Sequence, residues 1–376
     1  MLGQWSLAVA VSTPVFLFTN LQLRVAQATD AEHKYHFWDY MSVRFPAVVL
    51  ALLTIVVVAT IGQFDSELFA VLMIYSFGKA FDWIGDICFG KLQREERMDI
   101  ISRSMMLNGA FSFVAFILLL GFLNRLIPAA IAYSSVSLLV LFLYTVPKAD
   151  IPSISLRGIQ DLIRSRSSLR LLLLTLPLGF VSALSSLAGY MPQYQLQHHA
   201  GTAELGIFAA ISYLSFAGQT VTGALGQAAS PRLSRFYAGG DFNSFRRLLG
   251  RLLFIVILLA ASILVVVLLV GRELITILYS PEYAQYETTF ITLTIATGIL
   301  FCASIFGYAV SSIREFRGQL IVHSINLPMT WTVSAVAVPI WGARGAAGSM
   351  LAGAFILCMG YGWILWRRMG GRDAMG

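Results

Sequence analysis

Residues 67–97 read ELFAVLMIYSFGKAFDWIGDICFGKLQREER, and the reading of this stretch decides the fold. It opens on an apolar run long enough to cross the hydrocarbon core of a bilayer as a helix, which takes about 20 residues. Inside that run stand three ionisable groups, Lys79, Asp82 and Asp86. At about 100° per residue they fall with Tyr75 on one helical stripe about 60° wide. Each charge near the bilayer centre costs about 3 kcal/mol on insertion scales, so the stripe must face protein or water. Two readings stay open from the residues alone. Lys79 and Asp82 form a self-neutralised structural pair near one interface, or the stripe is the polar wall of a central cavity.

The rest of the chain repeats the apolar theme. Of 376 residues 57% are apolar and 12% charged, about half the ~25% charged content of a soluble domain, and the mean hydropathy is +0.76. Eleven stretches reach spanning length, roughly 2–20, 43–62, 67–89, 103–123, 127–147, 169–190, 204–229, 249–270, 287–312, 319–341 and 345–366. The short alternating segments of a membrane barrel are absent. The expected class is an all-α, polytopic integral membrane protein. Prolines 14, 46, 177, 328 and 339 inside spans read as kinks, which membrane helices tolerate.

The cations give the orientation. Of 26 Lys and Arg residues, all but Arg125, Arg272, Arg344 and the in-span Lys79 fall on the same side of the alternating spans. The positive-inside rule makes that side cytoplasmic and places the C-terminus there. The net charge of +7 is therefore a topology signal rather than a sign of nucleic-acid binding. With eleven spans the N-terminus falls outside, although the first stretch lacks the basic start and small-residue cleavage site of a signal peptide. One span is expected to be missing from the front.

An internal repeat points the same way. A shift of 220 residues lays Arg94-Glu95-x-Arg97 on Arg314-Glu315-x-Arg317, and Ile101, Ser104 and Leu107 on Ile321, Ser324 and Leu327. The expected organisation is a bundle of five helices over 1–147, a basic cytoplasmic linker over 148–168, a bundle of six over 169–366 and a cytoplasmic tail over 367–376. Twelve spans in two pseudo-repeated bundles are expected, with the first helix absent.

No loop is long enough for a soluble catalytic domain, and the G-x-x-x-x-G-K-[ST] phosphate loop is absent. Gly342, Gly345 and Gly348 enter an apolar span, where small residues serve close helix packing. His198-His199 sits on a short loop and reads as solvated. The cysteines Cys88, Cys302 and Cys358 give neither a disulfide framework nor a metal motif. No metal and no cofactor is expected. Arg103 and Asn108 extend the polar theme into the next span, and Gln219 and Gln227 fall on one face of a later one, where amides also serve as helix–helix glue. The moderately amphipathic segment 22–40, with Tyr35, Phe37, Trp38 and Tyr40, suits a helix or loop lying at the membrane interface.

At these junctions the chain resembles polysaccharide transporters of the MOP superfamily. The resemblance rests on Lys79-Ala-Phe-Asp82-Trp-Ile-Gly-Asp86-Ile-Cys-Phe-Gly90-Lys-Leu-Gln93 with Glu96-Arg97-Met98-Asp99, on Leu205-Gly206 through Gly226-Gln227 and Pro231-Arg232, and on Ile277-Leu278-Tyr279-x-Pro281-Glu282-Tyr283-Ala284 with Gly307-Tyr308. The nearest type is the Wzx-like flippase. The resemblance implies two six-helix bundles around a central cavity. It also implies movement of undecaprenyl-pyrophosphate-linked oligosaccharide, the repeat unit of an O-antigen or exopolysaccharide, across the bacterial inner membrane by alternating access. Asn108-Gly109 stands where Arg-Gly is common, and Lys91 interrupts the usual Gly-Leu-Leu-Gln. On this reading Lys79, Arg103 and Arg24 attract the anionic headgroup, and Asp82 and Asp86 take up protons or bind sugar hydroxyls. The expected partners are the lipid-linked substrate, membrane lipid and other polysaccharide-assembly membrane proteins. The alternatives are a cation-coupled multidrug exporter of the same superfamily and, from another class, a membrane-embedded polysaccharide polymerase or transferase. The latter is disfavoured by short external loops with three cations.

Overall fold

A computed structural model describes residues 2–151 and 166–373, and most of the expected linker lies outside them. The described residues form helices and no strand: α1 (Leu2–Thr19), α2 (Leu23–Ala28), α3 (Phe37–Ile61), α4 (Ser66–Arg94), α5 (Met98–Leu123), α6 (Leu126–Lys148), α7 (Ser167–Gly201), α8 (the bent pair Glu204–Tyr213 and Gly218–Ala238), α9 (Phe242–Leu278), α10 (Glu287–Ser312), α11 (Phe316–Trp341) and α12 (Ala343–Asp373). Among the described residues nine helices are long and apolar enough to cross a membrane, and α8 makes ten. α1 covers the remaining expected stretch.

The chain divides into two compact units, one ending at Ala183 and the other beginning at Leu184. The division falls inside α7, not at the linker. The first turns of α7 belong to the first unit, where Ser168 and Ser42 share a 2.7 Å hydrogen bond and Gln22 Nε2 donates to Ser182 Oγ at 2.7 Å. In each unit one helix is the most enclosed. α4 and the span containing α10 are each 44% buried, against 6% for α5 and 11% for α9. The weakly buried helices carry large apolar side chains outward, such as Phe113 and Phe122 on α5 and Phe254 and Leu269 on α9, as lipid-facing helices do.

These two enclosed helices confirm the repeat and correct its register. After α4, Glu95, Glu96 and Arg97 donate their N–H groups to the carbonyls of Lys91, Gln93 and Leu92. After α10, Ile313, Arg314 and Glu315 donate to Ala309, Ser311 and Val310 in the same pattern. Glu96 (φ 62°) and Arg314 (φ 58°) both adopt the left-handed conformation, and Arg97 and Glu315 both follow with ψ 58°. The backbones thus superpose at an offset of 218 residues, not 220. Matching arginines two positions apart drew the sequence alignment off register. The same turn recurs between α8 and α9, where Gly239, Gly240 (φ 74°) and Asp241 donate to Arg235, Tyr237 and Phe236.

Departures from helical dihedrals fall at Gly201 and Val270, while the prolines of α1, α3 and α11 sit inside continuous helices. The segment 22–40 is packed against the protein over much of its length. Leu23, Ala26, Gln27 and Ala28 of α2 are buried, and α2 packs against α4. Tyr40 is buried too, its hydroxyl donating to Asp30 at 3.2 Å. The aromatic cluster faces protein because the loop before α3 folds inward around the Asp30 carboxylate, which also accepts from the N–H groups of Lys34 and Tyr35.

Small residues set the closest helix approaches, as expected where lipid supplies no hydrophobic drive between helices. A side-chain carbon at Gly78 of α4 would meet Ser134 Oγ of α6 at 2.5 Å, and that hydroxyl donates to the Ile74 carbonyl at 2.8 Å. Gly78→Val is expected to cost about 1–3 kcal/mol by overpacking, read as a lower midpoint in detergent unfolding. Gly121→Ala on α5, where nothing lies within 4 Å, is expected to leave the midpoint unchanged or raise it.

Candidate functional site

The stripe on α4 faces two different environments. Lys79 Nζ lies 3.0 Å from Asp82 Oδ2, and Asn108 Nδ2 of α5 donates to Asp82 Oδ1 at 2.9 Å. Asn108 Oδ1 in turn accepts from Ser112 of α5 and Ser137 of α6, both at 3.2 Å. A polar chain thus runs across α4, α5 and α6. These groups line a cavity of about 700 Å³ together with Trp5 and Tyr133. The Lys79 ammonium also lies 5.8 Å and 6.0 Å from the ring centroids of Tyr75 and Tyr133, within the range of cation–π attraction. Trp5 closes the box, its ring centroid 5.1 Å from that of Tyr75 and 5.3 Å from that of Tyr133.

One wall is shaped by an irregular turn. Leu141–Thr145 is a π-helical turn within α6, and Pro147 follows it. A proline lacks the N–H that a regular ladder needs, and a local change of winding is one way to absorb the loss. Leu141 and Thr145 line the cavity, and Thr145 shares a 2.7 Å hydrogen bond with Ser104 of α5.

Asp86 belongs to a separate cluster. Its Oδ1 lies 3.5 Å from Arg24 NH1 of α2 and its Oδ2 3.4 Å from Arg44 NH2 of α3. Arg24 also donates to Gln93 Oε1 at 2.8 Å, and Arg44 to Asn20 Oδ1 at 2.9 Å. Their guanidinium groups cover the rings of Phe89 and Trp83 at 5.4 Å and 5.3 Å. Arg24 and Asp86 therefore sit outside the cavity lining. Arg44 was missed as a site residue by the sequence reading, which counted it among the cytoplasmic cations at the start of the span 43–62. The clue was the helix start, where His36 and Asp39 form a capping box that places Arg44 in the second turn and fully buried.

Arg103 is on an exposed face and lines neither cavity. Gln219 lines a second cavity of about 360 Å³ within the second unit. Gln227 is half-buried beside Gly226, where Tyr308 occupies the space that a larger residue would need. His198 and His199 are exposed, with rings 4.7 Å apart, and among the described residues no three His, Cys, Asp or Glu side chains converge as metal ligands would.

The chain is 24% identical over 365 residues to the capsular polysaccharide biosynthesis protein CapF of Staphylococcus aureus, covering 96% of this chain and 89% of that protein. Its fold matches an outward-facing multidrug resistance MATE transporter of the MOP superfamily (TM-score 0.82, 17% identity, 99% and 89% of the two chains covered). It also matches a MOP superfamily transporter from Pyrococcus furiosus (TM-score 0.74, 16% identity, 96% and 87% covered). Residues 5–237 match the model of the polysaccharide biosynthesis protein family. A membrane-spanning bundle with ionisable groups around an internal cavity, joined to that match, gives one conclusion: the chain belongs to the polysaccharide biosynthesis protein family and carries the fold of the MOP superfamily transporters.

Proposed function

We propose that this protein is a flippase for undecaprenyl-pyrophosphate-linked oligosaccharide, the repeat unit of an O-antigen or exopolysaccharide. It works by alternating access in a bacterial inner membrane with its C-terminus in the cytoplasm, and it is a transporter rather than an enzyme. The observation that carries the reading is the Lys79–Asp82–Asn108 wall on a cavity of about 700 Å³ inside a helix otherwise apolar enough to span lipid. Placing charges there is costly, and an anionic headgroup on a lipid carrier is a cargo that needs them.

The geometry suggests how the wall works. Lys79 is occupied by Asp82 at 3.0 Å, so the pair presents no net charge. A pyrophosphate recruits Lys79 only by displacing the carboxylate, and an ionised Asp82 beside it repels the incoming anion. Uptake of one proton by Asp82 removes both obstacles and links headgroup binding to an ion gradient. Ser104, Ser112 and Ser137 supply hydroxyls at the same wall.

The likeness to multidrug MATE transporters favours a second reading, a cation-coupled multidrug exporter. Against it, among the described residues the only carboxylate lining this cavity is Asp82, already engaged by Lys79 and Asn108. An organic cation therefore meets no free negative charge.

Three outcomes check the reading. In a strain lacking its own flippase, Lys79→Ala is expected to lower surface polysaccharide at least tenfold while Lys79→Arg retains most of it; full polysaccharide with Lys79→Ala would remove the cavity assignment. In proteoliposomes carrying the lipid-linked oligosaccharide, Asp82→Asn is expected to abolish the acceleration that an imposed pH gradient gives the wild type. Asp86→Ala, by contrast, is expected to act on stability. It leaves the buried Arg44 without its carboxylate, costs roughly 3 kcal/mol, and shows as a lower unfolding midpoint.

A further inference from the structure

The second unit holds the cavity of about 360 Å³ that Gln219 lines, and its chemistry is unlike that of the first. Among the described residues no Asp, Glu, Lys, Arg or His lines it. Its polar groups are hydroxyls and amides from four helices: Ser185 and Gln193 of α7, Gln219 of α8, Thr297 of α10, and Asn326 and Thr330 of α11. Among the described residues, the Ser185 hydroxyl and the Gln193 and Gln219 side-chain amides have no hydrogen-bond partner. Asn326 is 3% exposed. Its Oδ1 accepts from Thr330 at 3.4 Å.

The Gln193 and Gln219 amides are half-buried and line one space together with the buried Asn326 amide. Gly353 of α12 keeps that space open, since a side-chain carbon there would lie 2.8 Å from Thr330 Oγ1 and 3.3 Å from Asn326 Oδ1. Two tyrosines, Tyr190 and Tyr213, stand exposed at the cavity and offer aromatic faces. A cavity with no cation does not select an anion, and one with no carboxylate does not select a cation. Unpartnered amides, hydroxyls and flat aromatic faces suit a neutral, polyhydroxylated ligand with apolar ring faces.

We propose that this cavity is a binding site for one or two neutral sugar residues, chemically distinct from the charged cavity of the first unit. The site rests on the reading of the protein as a glycan transporter and adds that uncharged glycan is recognised by the second unit alone. Lys79 and Asp82 take no part in it.

Saturation-transfer difference NMR on the detergent-solubilised full chain tests this, with N,N′-diacetylchitobiose and maltose as neutral probes. The expected result is saturable transfer to ring protons of at least one probe. Gln219→Leu, at a half-buried position, should reduce it at least fivefold, and so should Gly353→Val, which fills the cavity. Lys79→Ala should leave it unchanged. The proposal is overturned if neither probe gives a saturable signal, if the signal survives both cavity variants in protein that elutes as wild type on size exclusion, or if it is lost in Lys79→Ala. The surface-polysaccharide assay separates the two claims. A wild-type chain that restores polysaccharide but gives no signal removes the sugar site alone, whereas one that restores none removes the transport reading itself.

Discussion

A charged group in a membrane-spanning helix has to be neutralised from within the protein, because lipid offers it nothing, and much of the first unit is organised by that constraint. Asp86 is matched by two arginines that reach it from α2 and α3, so one carboxylate holds two neighbouring elements against α4. Four residues earlier in the chain, Asp82 is matched by Lys79 on the same helix and by Asn108 on α5. The two carboxylates share a stripe but not a task. One is tied to elements packed behind the cavity wall, and the other is tied to a lysine that lines open volume.

This division explains what the sequence could and could not disclose. The Lys79–Asp82 pair is local, three residues apart on one helix, and helical geometry alone brings the two together. The partners of Asp86 lie 62 and 42 positions away, and no periodicity connects Arg24 or Arg44 to α4. Hydropathy located the spans because length and apolarity are properties of a single segment. It missed Arg44 as a site residue because a helix start depends on its cap, and it gave Arg103 to the cavity because a helical face cannot be told from its neighbours without knowing what packs there. The segment 22–40 looked interfacial from its aromatics, yet its polar core, built around Asp30, turned those rings inward.

The two units also differ in chemistry despite their similar helical frames. The first lines its cavity with an ion pair and an aromatic box, and the second with amides and hydroxyls. A molecule with an anionic end and a neutral, hydroxyl-rich end would find a suitable environment in each. Duplication supplies two similar frames, and side-chain divergence lets each frame specialise without disturbing the helix packing.

The turn that ends α4, α8 and α10 carries a lesson about how such duplications age. Three carbonyl acceptors and one left-handed residue recur with Glu96, Gly240 and Arg314 at the pivot, an acid, a glycine and a base. The hydrogen-bonding pattern is shared at that point, while residue identity is not. Ancient internal symmetry in strongly apolar chains, where letters are few and coincidences common, is better sought in strings of backbone dihedrals than in aligned residues.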